Sequence, residues 1–313
     1  MISFIVIGKN EGWKISKCMQ SITDAVAYNK LNKYEIIYVD SDSTDDSIER
    51  VRQFRKVSII KLTGDLNAGI ARNVGVKESN GDVFFFIDGD MEIQSEFLKI
   101  VYSEKEGLIH DFVSGNWINY YYNESDELTK KENYRVIEKD TYEKTTGGLF
   151  LINKKAWNLV GGINERFRIS EDIDLGLRLA GRGIYLLRKK ETAAIHHTIA
   201  YLDKKRMWSD FLKMDHLYGR SFLYREHILN KHIYRRFIRN DYTLLTLIIS
   251  IIIIFFYPKI GVAGMFLYVS LISLRSKFNP SNILYYFLRD LSVLFGFLFF
   301  IPNKNKYSIE SIS

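Results

Sequence analysis

Cysteine is nearly absent: Cys18 stands alone in 313 residues, so no disulfide can form within the chain and a disulfide-built scaffold is excluded. Proline is scarce as well, with three residues, and glycine numbers 20 beside 47% hydrophobic residues, a balance that excludes collagen-like and disordered chains. What remains is one large or two small globular units. The opening stretch MISFIVIGKNEG lacks a basic n-region, its apolar run is too short for a signal sequence, and no small-residue cleavage site follows. The expectation is that the folded front half stays in the cytosol. The first 230 residues also lack net charge, holding 34 basic and 34 acidic residues, so the whole +7 arises from residues 231–313, with 10 basic and 3 acidic. A nucleic-acid binder carries its basic excess on the folded domain. Here the excess flanks strongly apolar segments, as at a membrane surface, and nucleic acid is set aside as a partner.

The apolar segments lie late in the chain. Tyr242 to Leu274 is a run of 33 residues whose only charge is Lys259, next to Pro258. One span needs about 20 apolar residues, so a run of this length broken by Pro-Lys predicts a two-helix membrane hairpin over 241–276. Lys231, Arg235, Arg236 and Arg239 precede it and Arg275 and Lys277 follow, which puts both outer flanks on the cytosolic side. A third segment, 281–302, carries Arg289 and Asp290 in its middle. Hydrocarbon disfavours that pair, so an interfacial or re-entrant helix is expected. Upstream, over 201–240, Trp208, Phe211 and Leu212 sit at helical spacing among Lys204, Lys205, Arg206 and Lys213, predicting amphipathic juxtamembrane helices.

The front half alternates strand and helix patterns. Ile2–Ile7, Tyr34–Val39, Val57–Leu62 and Val83–Ile87 are short apolar, β-branched-rich runs bounded by polar residues or glycine. Helical patterns fill the gaps at Trp13–Tyr28, which contains Cys18 as a small buried hydrophobe, at Thr44–Phe54 and at Ala68–Ser79. Such alternation predicts an α/β fold with a mostly parallel sheet, and ligands of such sheets bind at the carboxyl ends of the strands. The residues following each strand are therefore the candidates: Gly8–Gly12 with Asn10 and Glu11, Asp40–Asp46, and Asp88–Glu92.

Asp88-Gly-Asp90 presents two hard oxygen ligands after a buried strand, suited to a divalent cation bridging a diphosphate, or forms a solvated acidic turn. Asp40 is placed to accept a hydrogen bond from a base or ribose, or to make an Asx turn leading into the helix that follows. Arg72 lies early in a helix whose N-terminus can face phosphate. His196 and His197 end a strand-like run, so their side chains point to opposite faces, and one of them is a candidate metal ligand. Residues 120–146 are polar and rich in tyrosine, and read either as a lid or acceptor loop or as a solvated helix.

Taken together, FIVIGKNEGWKISKCMQSI, EIIYVDSDSTDDS, NAGIARNVGV, GDVFFFIDGD and GGLFLINKKAWNLVGGINERFRISEDIDLGLRLAGRG resemble, in order and over residues 2 to about 200, the inverting GT-A glycosyltransferases of family 2. The resemblance implies a Rossmann-like GT-A domain over 1–200, with a nucleotide-binding half at 1–92 and an acceptor half at 93–200. It implies a nucleoside-diphosphate sugar as donor and Mg²⁺ or Mn²⁺ as cofactor. Residue by residue, Asp40 resembles the base-binding aspartate, Asp88 the ribose- or metal-side carboxylate, and Asp90 the direct metal ligand. Arg72, Asn10 and Glu11 fall near the nucleotide, and His196 is similar to the third metal ligand. Glu171 and Asp172 of SEDIDLGLRL match the catalytic acidic pair, with Asp172 as the base that deprotonates an acceptor hydroxyl. Arg220 is a candidate for offsetting charge on the leaving diphosphate, or a lipid-facing basic residue. No Q-x-x-R-W occurs, a departure from the polymer-extruding branch, so one sugar per acceptor is expected. The implied activity is transfer to a lipid-linked saccharide at the cytosolic face of the cytoplasmic membrane. Transfer to a polyprenyl phosphate is the neighbouring alternative, and a catalytically silent sugar-nucleotide-binding membrane protein is the alternative of another class.

Overall fold

The computed structural model describes residues 1–145, 147–199 and 203–312. It divides into a first unit, Met1–Tyr201 with Lys304–Ser313, and a second, Leu202–Asn303.

The first unit is built on one sheet. Its opening follows the sequence pattern: β1 (Ile2–Gly8), α1 (Trp13–Tyr28), β2 (Tyr34–Asp40), α2 (Ser47–Val51), β3 (Val57–Gly64), α3 (Ala68–Lys77) and β4 (Val83–Asp88). β1 is buried at every residue, as an inner parallel strand must be, and pairs in parallel with both β2 and β4, while β2 pairs in parallel with β3. Successive side chains alternate between two cores. Phe4, Val6, Phe85 and Ile87 face Ile15, Cys18 and Ile22 of α1, whereas Ile5, Ile7, Phe84 and Phe86 face Ile70 and Val74 of α3. α2 starts three residues later than the pattern predicts. The segment before it serves another purpose: Thr44 N donates to Asn10 Oδ1 at 2.7 Å, and Asp45 Oδ1 accepts from Ser47 N at 3.1 Å.

After β4 come β5 (Met91–Ile93), α4 (Ser95–Val101), a small hairpin of β6 (Tyr102–Ser103) and β7 (Gly107–Leu108), β8 (Phe112–Tyr122), β9 (Leu128–Tyr134), β10 (Thr141–Glu143), β11 (Phe150–Asn153), α5 (Lys154–Val160), α6 (Glu171–Gly181) and β12 (Leu186–Ile199). The sheet order is β10-β12-β8-β11-β4-β1-β2-β3, with β5 on β12 and β9 on β8. Parallel pairing governs β3-β2-β1-β4. Beyond β4 the sheet is mixed, because β11 enters antiparallel to both β4 and β8. The segment 120–146 is not a helix. β8 continues to Tyr122 and turns back as β9, every residue of which is exposed, with Trp117 stacked on Tyr134 at 5.6 Å. Thr146 lies outside the described residues.

The second unit contains α7 (Asp203–Leu212), a π-helical stretch at Leu217–Phe222, α8 (Leu223–Glu226), α9 (Lys231–Asn240), α10 (Tyr242–Phe256), α11 (Pro258–Arg275) and α12 (Pro280–Phe299). The side chains of Lys204, Lys205 and Arg206 lie outside the described residues. α10 and α11 are joined through Tyr257, with Pro258 at the first turn of α11, where its missing N–H costs nothing. Leu247, Tyr268 and Ile272 pack with Ile283 and Tyr286 of α12. Two helices, α11 and α12, are long and apolar enough to cross a membrane, or three spans result if α9 and α10, bent by 96°, count as one. Arg289 and Asp290 of α12 are fully buried, and Arg289 Nε donates to Asp290 Oδ1 at 2.9 Å while its Nη2 lies 3.3 Å from Thr243 Oγ1 and 3.5 Å from Asp241. Arg289 is therefore paired inside the unit, while Asp290 Oδ2 has no hydrogen-bond partner among the described residues.

The chain then returns to the first unit. β13 (Tyr307–Ile312), which no pattern in the sequence announced, pairs antiparallel with β3 and closes that edge of the sheet.

Candidate active site

A cavity of about 510 Å³ opens at the carboxyl ends of β1 and β4. Among its lining residues are Lys9, Glu11, Ser41, Asn67, Arg72, Asp88, Asp90, Gly148, Glu171, Asp172 and His196.

Its organising group is Arg72. Asn67 caps α3 by accepting from Ile70 N at 2.9 Å, and Arg72 follows one turn later. The guanidinium is 2% exposed, and a buried cation has to be paired. It donates through Nη2 to Asp88 Oδ1 at 2.7 Å and through Nη1 to Glu171 Oε1 at 3.0 Å. Burial opposes its charge, but Asp88 and Glu171 outweigh burial and push its pKa further up. Arg72 thus ties the end of β4 to the start of α6. Both terminal nitrogens engage carboxylates, and the residue lines the cavity as well.

That arrangement separates the roles of the acidic pair. Glu171 is held by a cation, while Asp172, one residue on, has no cationic hydrogen-bond partner among the described residues and accepts from Ile173 N at 2.8 Å. Burial first, and the neighbouring Glu171 charge second, raise the Asp172 carboxyl from 3.8 to about 7. Asp174, one turn into α6, is instead locked by Arg178 Nη2 at 2.7 Å.

On the opposite wall β5 pairs with β12, which brings His196 to Asp90. His196 Nε2 stands 3.1 Å from Asp90 Oδ2, and Nδ1 stands 3.0 Å from Asn119 Oδ1. Burial works against the imidazolium, but the hydrogen bond and charge of Asp90, helped by Asp88, raise its pKa above the ordinary histidine value. The two histidines do point to opposite faces. His197 is buried away from the cavity, where its Nε2 contacts Glu92 Oε2 at 3.1 Å, its Nδ1 contacts the Tyr122 hydroxyl at 2.9 Å and its ring meets Trp13 edge-on. Glu11 lines the cavity with its carboxyl raised to about 7 by burial and by Asp90.

Two expected nucleotide contacts are not brought to the cavity. Asp40 is completely buried, and its carboxylate accepts from Tyr38 at 2.9 Å, from Ser43 N at 2.8 Å and from the Ser43 hydroxyl at 2.5 Å. It clasps the loop after β2, and Ser41 reaches the cavity in its stead. Asn10, in the left-handed region at φ 56°, accepts from Thr44 and supports the same loop. Arg220 belongs to the second unit, paired with Asp241 at 2.9 Å. Lys9, Asn67 and Gly148 were not singled out from the sequence. Gly148 is required by proximity, since a Cβ there would lie 1.8 Å from Asp88 Oδ2.

Among the described residues no three His, Cys, Asp or Glu side chains surround a common point as in a formed metal centre. The donor chemistry nonetheless suits a hard divalent cation. Asp88 Oδ2 and Asp90 Oδ1 accept no hydrogen bond among the described residues, and His196 Nε2 is aimed at Asp90.

The profile of glycosyl transferase family 2 matches residues 3–164. Glycosyltransferase AglE of Haloferax volcanii is 34% identical over 119 residues, 37% of this chain and 38% of that protein. The poly(ribitol-phosphate) beta-glucosyltransferase of Bacillus spizizenii is 26% identical over 163 residues, 49% of this chain and 23% of that protein. The chain therefore matches well under half the length of these curated relatives. A solved structure of GalNAc-T7 with UDP, GalNAc and Mn²⁺ shares the fold, with a TM-score of 0.52 at 14% identity over 65% of this chain and 44% of that one.

Proposed function

Because the chain belongs to glycosyl transferase family 2, we propose that its cavity carries out inverting transfer of a single sugar from a nucleoside-diphosphate sugar to a hydroxyl of a lipid-linked saccharide, at the cytosolic face of the cytoplasmic membrane. The observation that carries this reading is the division of labour among the carboxylates. Arg72 pairs with Asp88 and Glu171, His196 holds Asp90, and Asp172, raised like Glu11 to about 7, stands at the cavity wall beside Glu171 with no cationic hydrogen-bond partner among the described residues. A carboxylate of that basicity can take a proton from an alcohol as its oxygen attacks, and a base serves no purpose for a phosphate acceptor that is already ionised.

In this reading the acceptor oxygen forms its bond to the anomeric carbon as Asp172 removes the proton. The bond between that carbon and the diphosphate oxygen breaks on the opposite face, which inverts the centre. Lys9 lines the cavity where it can offset charge on the departing diphosphate. Asp88, Asp90 and His196 would hold Mg²⁺ or Mn²⁺, whose contribution is positive charge against that same leaving group. The membrane setting is supported by α11 and α12, which have the length and apolarity to span, and by the basic flanks of the apolar run.

The test is a donor screen on the detergent-purified full chain, using UDP-, GDP-, TDP- and CMP-sugars with and without Mn²⁺, and reading binding and nucleotide release together. Metal-dependent binding and slow hydrolysis of one nucleoside-diphosphate sugar is the expected result. Binding without any release or transfer supports a sugar-nucleotide-binding protein, and no binding under any metal condition overturns the proposal.

A further inference from the structure

The strand β13 and the residues that lead into it lie outside the 3–164 family match, yet they are hydrogen-bonded to the segment that forms one wall of the cavity. Leu66, Asn67 and Ala68 form that wall, between the end of β3 and the start of α3. On one side Asp65 N donates to Lys306 O at 2.9 Å, and Lys306 N returns to Asp65 Oδ2 at 3.4 Å. The preceding Gly64, at φ 110°, lets this approach happen, since a Cβ there would fall 2.4 Å from Lys306 O. On the other side the Glu165 carbonyl accepts two side-chain amides, Asn67 Nδ2 at 2.8 Å and Asn305 Nδ2 at 2.5 Å. The Glu165 carboxylate accepts Asn73 Nδ2 at 2.9 Å and lies 3.4 Å from the Tyr307 hydroxyl. Asn67 is the residue whose other amide atom caps the helix carrying Arg72.

We infer that Asn305, with the main chain of Lys306, is a positioning element of the donor cavity: the segment that follows the apolar helices holds Leu66–Ala68 and the N-terminus of α3 in their working conformation. Residues 65–68 are otherwise a short link with little burial of their own, and such links open locally when their few fixed hydrogen bonds are lost. The inference rests on the proposed donor site for its effect on binding, but the coupling itself can be read without any donor.

The experiment compares the full-length protein with Asn305→Ala and with Asn305→Asp, which keeps the shape but cannot donate to Glu165 O. Ser308→Ala is the control, removing the 2.6 Å contact with Thr63 Oγ1 further along β13. Amide hydrogen exchange over residues 65–70 should accelerate about threefold to tenfold in both Asn305 variants, and Ser308→Ala should leave that window unchanged. The Kd of whichever nucleoside-diphosphate sugar the wild type binds should rise by a similar factor, with kcat at saturating donor within twofold of wild type. Unchanged exchange over 65–70 in folded Asn305 variants overturns the inference, as does an equal response in Ser308→Ala. If the wild type binds no sugar nucleotide while exchange responds as expected, the coupling stands and the proposed function is what has failed.

Discussion

Replacing Asp172 with Asn tests the base assignment through two opposite signs. The Asp172 carboxyl is raised from 3.8 to about 7 in the folded protein, so the folded state binds this proton more tightly than the unfolded chain does. A group raised in this way makes the fold lose stability as pH rises: the loss begins near the unfolded value of about 4, grows through the interval and levels off above pH 7. At about 1.4 kcal/mol per pKa unit, three units correspond to roughly 4 kcal/mol of destabilisation by the ionised carboxylate at pH 8. Asp172→Asn cannot ionise. It should therefore melt at a higher temperature than the wild type at pH 8, with the difference shrinking towards pH 4. Activity should move the other way. A base with a pKa of about 7 is about one-tenth ionised at pH 6 and nine-tenths at pH 8, so wild-type kcat/KM should climb about tenfold over that range and then flatten. The variant should lose about 100-fold to 10,000-fold in transfer and show no such rise, while still binding donor. Thermal melts and initial rates of sugar transfer at pH 5 to 9 decide it. A variant no more stable than wild type at pH 8, or one that transfers within threefold of it, refutes the reasoning.

Asp90→Ala should abolish Mn²⁺-dependent donor binding measured calorimetrically, and retention of the metal effect would remove Asp90 from the ligand set. Gly148→Ala places a methyl group where Asp88 Oδ2 stands, so it should cost about 1–3 kcal/mol in denaturant melts and weaken donor binding by displacing the Arg72–Asp88 contact. The paired histidines should separate function from stability. His196→Ala should weaken Mn²⁺ binding about tenfold or more with little change in melting temperature, and His197→Ala should lower the melting temperature by deleting the buried link between Glu92 and Tyr122.

The part of the fold written in the sequence is the part held by local pattern. β1, β2 and β4 are runs of mostly buried apolar residues, β3 buries Ile59, Ile60 and Leu62 among more exposed neighbours, and Trp13–Tyr28 and Ala68–Lys77 repeat their apolar residues at helical spacing, so each announces itself. The elements that escaped are those whose reason lies across the sheet. β9 is LTKKENY, exposed throughout, and it is a strand because β8 offers it an edge rather than because it buries a face. β13 is equally short of pattern, and its pairing with β3 spans more than 240 residues of chain. The partners of Arg289 in the third apolar segment are equally beyond local pattern, since Thr243 and Asp241 stand about fifty positions earlier.

The site divides along the same line. Asp88 and Asp90 could be named in advance because one ends a strand and the other follows it, and position along such an element fixes which end of the sheet a side chain reaches, whereas Glu171 and Asp172 are named through the resemblance to family 2. Asp40 satisfies that rule and still does not enter the cavity, because Tyr38 and Ser43, two and three residues away, capture both of its oxygens. Position says where a carboxylate can be, and the competition for its lone pairs decides what it does. The same competition assigns Arg72: a guanidinium 2% exposed between Asp88 and Glu171 is more useful as the joint between two halves of a site than as a phosphate ligand. Asp172 is left without a bond to that guanidinium, and burial first and the Glu171 charge second raise its pKa against the lowering effect of the nearby Arg72 charge. The basicity of Asp172 is thus a property of the three-residue arrangement, and only the fold that brings α3, β4 and α6 together could supply it.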